Sequence, residues 1–110
     1  MEKTYHNSFF PNLKRVRQVT PYHCGPAVLE TLLDYCGISA DQRELVRAAN
    51  VENKIKDRGM VVNELALAVK KITPELQFWF KKNATIGELA KITKSFKYPV
   101  GVEWQGIFDL

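Results

Sequence analysis

The residues of this 110-residue chain best suited to chemistry gather around Cys24, in the run Gln18-Val19-Thr20-Pro21-Tyr22-His23-Cys24-Gly25-Pro26-Ala27. Proline is accepted only in the first turn of a helix, so Pro26 predicts a helix that starts at or just before Cys24. The unpaired N–H groups and the macrodipole at that end favour an anionic neighbour. They favour the thiolate over the thiol, and the thiolate is the form that attacks a carbonyl carbon. Gln18 lies six positions upstream, in a loop that Pro21 keeps from becoming helical. Its side-chain amide can stand beside the backbone N–H of Cys24, and two such donors make an oxyanion hole. Cys24 is therefore the candidate nucleophile and Gln18 the candidate oxyanion donor. A lone cysteine is more often a small buried core residue. Here Gln18, the Gly-Pro step and the helix start agree in register, which weighs for the nucleophile.

Gln18, five residues, then Cys24-Gly25-Pro26-Ala27 and an apolar helix closing with Tyr35-Cys36-Gly37 resembles the papain-like cysteine peptidases. More narrowly it is similar to the family that processes the double-glycine leaders of bacteriocins. The resemblance covers roughly Arg17 to Gly37, and the rest only by its order of elements. It implies an α+β, papain-like fold with the cysteine helix at its centre, a peptide or protein substrate, and no cofactor. It also implies a histidine base that opens a strand, followed by an aspartate or asparagine. That region would come just after the strand ending at Trp104, and no histidine stands between there and Leu110.

Two histidines remain. His23 adjoins Cys24, and neighbouring side chains at a helix start diverge, which argues against direct proton transfer; a partly exposed loop histidine is the expectation. The family often carries an acidic residue at that position. His6 lies on an N-terminal arm and reaches the site only if the arm folds across it.

Composition narrows the partners. A chain of this length with 45% hydrophobic residues supports a single modest core, hence one domain over 1–110. The net charge of +4 arises from 16 basic and 12 acidic residues spread through both halves. The short clusters Lys14-Arg15-x-Arg17, Lys70-Lys71 and Lys81-Lys82 read as solvated surface, without the interleaved aromatics of a nucleic-acid platform. No nucleic-acid partner is expected. No stretch approaches the ~20 apolar residues of a membrane helix and no signal peptide is evident, which suits a cytoplasmic protein. Cys24 and Cys36 fall twelve residues apart on one predicted helix, about 18 Å at 1.5 Å per residue. A disulfide needs Cα atoms within about 7 Å, so no bridge joins them. A zinc site is not indicated either, since there is no second cysteine pair.

The supporting elements follow from periodicity. Val28, Leu29, Leu32, Leu33 and Cys36 recur at helical spacing, with Glu30 and Asp34 outward, Cys36 in the core, and Gly37 as C′. Ser39-Ala40-Asp41-Gln42 reads as a capping box for a short helix through Leu45, Val46 and Ala49, closed by Asn50. Val51 to Gly59 reads as a polar loop. A third helix runs from about Met60 to Thr73-Pro74. Leu76 to Lys81 reads as an aromatic strand with Phe78, Trp79 and Phe80 in the core. Thr85 to Glu88 is a second capping box, opening a fourth helix through Leu89, Ile92 and Thr93. Tyr98, Val100, Val102 and Trp104 share one face of a second strand.

That last strand would leave an apolar face and an open edge. Three accounts fit: an N-terminal fragment of a longer papain-like protein, which is favoured; a degenerate module that binds an extended peptide without cutting it; or completion of the sheet by a second or swapped chain. The expected function is a cysteine peptidase acting through Cys24, with its histidine supplied from outside this chain. The alternative is a catalytically inactive peptide-binding or interaction module.

Overall fold

The computed structural model describes residues 12–81 and 83–102, and over them the chain is helical. In order these are α1 (Cys24–Tyr35), α2 (Gln42–Ala48), α3 (Ile55–Arg58), α4 (Val62–Ile72), α5 (Ile86–Ala90) and a π-helical turn at Lys91–Ser95.

Local chemistry sets most of the boundaries. Pro26 occupies the first turn of α1, and Gly37 ends it at φ 81°, where the N–H of Ile38 reaches back to the Leu33 carbonyl at 2.8 Å. Asp41, not Ser39, caps α2: its side chain accepts from the Glu44 N–H at 2.9 Å, and the Glu44 carboxylate accepts from the Asp41 N–H at 3.4 Å. The capping box thus lies two residues beyond its predicted place, which frees Gln42 to turn inward. Asn50, at φ 58°, closes α2 as expected. The stretch expected to be a polar loop forms the single turn α3, because Val51 and Ile55 are both buried four residues apart. Ahead of α4, the Val61 N–H donates to the Glu64 carboxylate at 3.0 Å. Valine offers no acceptor in return, so only half of a capping box is present. Thr85 and Glu88 form the complete box expected at α5.

The core lies between α1, α2 and α4. Leu29 and Leu33 of α1, Leu45 and Val46 of α2, and Ala68 and Val69 of α4 are buried together with Val51, Ile55 and Met60. Each fully buried leucine or valine contributes about 1.5–3 kcal/mol of transfer free energy. Within α1 the buried face is narrower than expected: Val28 and Cys36 are exposed, whereas Glu30 is half-buried.

The α+β, papain-like fold class is contradicted, since no strand forms among the described residues. The two runs predicted as strands have the right composition but no partner. A strand exists only by exchanging backbone hydrogen bonds with a neighbour, and the run at 76–81 forms no ladder with 98–102. Phe78 packs against the core, but Trp79 and Phe80 are exposed, not buried. Tyr98 and Val102 are also exposed, and Trp104 lies outside the described residues. Residues near 101 instead lie along α1, where a Cβ on Gly101 would come within 2.9 Å of Val28 Cγ1 and 3.3 Å of Leu32 Cδ1.

Candidate active site

The segment carrying Gln18 is held in place from below. Gln42, at the start of α2 and buried, accepts from the Val19 N–H at 2.9 Å through Oε1, while its Nε2 donates to the Arg17 carbonyl at 2.7 Å and to Glu30 Oε1 at 3.1 Å. One amide thereby joins the loop, α1 and α2. Sequence reasoning assigned Gln42 to a cap and missed this role. The only signal was its place beside the true N-cap Asp41, which points the next side chain away from solvent.

A tight turn follows. The Thr20 carbonyl accepts from the His23 N–H at 3.1 Å and from Gln18 Nε2 at 2.9 Å. The Thr20 hydroxyl accepts from the Tyr22 N–H at 3.1 Å and meets His23 Nδ1 at 2.5 Å. With that hydroxyl donating to Nδ1, the neutral ring carries its proton on Nε2. His23 is only 8% exposed, contrary to the expected loop histidine. Its pKa is held below the ordinary value, first by burial and then by the positive charge of Arg43. It occupies the N-cap of α1 but makes no side-chain cap hydrogen bond.

Cys24 is the first residue of α1, with an exposed free thiol. The Ala27 N–H bonds the His23 carbonyl at 2.9 Å, and Pro26 has no N–H to offer. No hydrogen bond among the described residues uses the N–H of Cys24 or Gly25, two of the donors that a helix start leaves without an intrahelical acceptor. The first turn contains no acidic residue. Gly25 sits against the turn before α4: a Cβ there would approach the Met60 carbonyl to 3.3 Å and Leu65 to 3.5 Å. Gly59, at φ 69°, passes close to Tyr22. This close packing fixes the direction of the helix end that presents Cys24.

The structure thus brings Gln18, Thr20, His23 and Cys24 into one turn-to-helix junction. Gln18 spends one amide hydrogen on Thr20 and keeps the other. No hydrogen bond joins His23 to Cys24, and His6 lies outside the described residues. Cys36, expected in the core, is exposed at the opposite end of α1. The helix is continuous from Cys24–Tyr35, so the two thiols stand about 18 Å apart and remain free. On the other side of the Gln42 anchor, Lys14, Arg15 and Arg17 line an open groove of about 350 Å³ with Glu30, Asp41 and Arg43. Its charges are mixed, four basic side chains against two acidic ones. No protein-family model, curated protein or solved structure matches the chain.

Proposed function

We propose that this chain is part of a cysteine hydrolase that cleaves peptide bonds in a peptide or protein substrate, with Cys24 as nucleophile. The observation that carries the reading is the exposed thiol on the first residue of α1, beside two backbone N–H groups that have no partner among the described residues. The thiolate sulfur attacks the peptide carbonyl carbon, and the carbonyl oxygen takes the electron pair. The Cys24 N–H and the second amide hydrogen of Gln18 receive that oxyanion. Collapse expels the amine, which takes a proton, and water then hydrolyses the thioester. The group that moves these protons comes from outside the described residues. Without it the described site lacks a contribution worth typically 10²–10⁴-fold. The proposal rests on the junction at Cys24 and not on a papain-like fold. A reducing compartment such as the cytoplasm suits it, because both cysteines are thiols.

A second reading, a non-catalytic peptide-binding module, is supported by the Gln18 amide already giving one of its two hydrogens to the Thr20 carbonyl. The two separate by the pH dependence of Cys24 alkylation with iodoacetamide, in a Cys36→Ser background with Gln18→Ala alongside. The hydrolase reading expects a rate that reaches its plateau at or below neutral pH. A rate still climbing beyond about pH 8.5, the free-thiol value, sinks it and leaves the binding module.

A further inference from the structure

Among the described residues, the most exposed large hydrophobic side chains lie within 77–102. Trp79 is 84% exposed, Ile86 79%, Tyr98 64% and Phe96 58%, with Phe80 and Val102 also exposed. Neither α5 nor the π-helical turn has a buried residue. A side-chain ion pair from Lys81 to Glu88 ties the aromatic stretch to the start of α5. Scattered exposed hydrophobics are ordinary, but a run of this size marks an interaction surface.

Charge identifies the partner. Residues 77–102 contain five lysines (Lys81, Lys82, Lys91, Lys94 and Lys97) against the single Glu88. They hold the chain's whole net charge of +4, since eleven basic and eleven acidic residues balance elsewhere. Lys91, Lys94 and Lys97 form no ion pair among the described residues. A second copy would set one cationic face against another, which opposes self-association. Ile86, Ile92 and Val102 have no flat face to stack on bases, which disfavours a nucleic acid. Aliphatic and aromatic side chains flanked by lysines instead match the boundary between acyl chains and anionic headgroups.

We propose that the exposed hydrophobic and lysine side chains between Trp79 and Val102 form a face that lies on an anionic lipid bilayer. Trp79, Ile86, Phe96 and Tyr98 enter the interface, and Lys91, Lys94 and Lys97 reach along it to the headgroup phosphates. This attachment is peripheral: no helix among the described residues is long and apolar enough to cross a membrane. It is independent of the role of Cys24.

The test is co-sedimentation of the full chain with vesicles of phosphatidylcholine and phosphatidylglycerol, against vesicles of phosphatidylcholine alone. A Trp104→Phe background leaves Trp79 as the only indole. Binding is expected to the anionic vesicles only, with a blue shift of Trp79 emission and release as salt is raised. Replacing Lys91, Lys94 and Lys97 together by Gln should weaken partitioning on the order of 100-fold. Trp79→Ala should weaken it while leaving the salt dependence, and both sets of residues are exposed, so circular dichroism should be unchanged. Failure to bind anionic vesicles, or binding unaffected by the triple replacement, overturns the proposal. So does tighter binding of a single-stranded oligonucleotide, or a dimer that shields Trp79 without lipid.

Discussion

Replacing Gln42 tests whether one buried amide holds the segment that carries Gln18. The side chain is 3% exposed and makes three hydrogen bonds, to Val19, Arg17 and Glu30. The two neutral bonds are worth about 0.5–1.5 kcal/mol each and the one to a carboxylate about 1.5–3 kcal/mol. The partners are only partly buried, so water recovers some of that. Gln42→Ala should therefore cost about 2–4 kcal/mol, read as a lower urea midpoint with little change in slope. The Val19 amide should also lose its protection from hydrogen exchange. Gln42→Glu sharpens the test, because at neutral pH the new carboxylate faces Glu30 and has no hydrogen to give the Arg17 carbonyl. Its folded-state pKa is raised, so the variant should regain stability below the carboxylate range and lose it as pH rises through that raised value. A loss under about 0.5 kcal/mol for Gln42→Ala, the size of an ordinary surface change, would refute the anchoring role. So would a Gln42→Glu variant with the pH profile of the parent.

Two further outcomes depend on pH. Because His23 titrates below its ordinary value of 6.5, the unfolded chain takes up that proton first on acidification. Its contribution to stability is full above pH 6.5 and falls as pH drops through the folded value, so His23→Gln should flatten the urea-midpoint profile there. Glu64, gripped by the two-pronged Arg58 guanidinium at 2.9 and 2.7 Å, is held down at about 2 against an ordinary 4.5. Its contribution is present above pH 4.5 and fades as pH falls toward 2. Glu64→Gln keeps an acceptor for the Val61 N–H. It should be less stable than the parent at neutral pH and converge with it over that acid interval, as followed by thermal unfolding.

Helix ends were legible because they are written in short-range chemistry. Pro26, Gly37, Asn50 and the Thr85–Glu88 box each act within four residues, and each stands where expected. The cap at Asp41 was misplaced because Ser39 and Asp41 are both good N-caps, and only the inward turn of Gln42 chooses between them. Val51 and Ile55 looked too isolated among charges to form a turn until the core of α1, α2 and α4 covered them.

The candidate site divides along the same line. That Cys24 begins a helix was determined by Gly25, Pro26 and the apolar repeat behind them, all neighbours along the chain. The loop before it was decided by tertiary structure: Gln42 captures the backbone on either side of Gln18, Thr20 collects Gln18 and His23, and burial, with Arg43 nearby, lowers the pKa of His23. The same holds for the runs around Trp79 and Val100. Alternating apolar residues give a segment the capacity for a strand, but a strand also needs a second backbone at hydrogen-bonding distance. Among the described residues no such partner stands beside these runs, and Trp79, Phe80 and Tyr98 remain at the surface while Phe78 alone packs on the core.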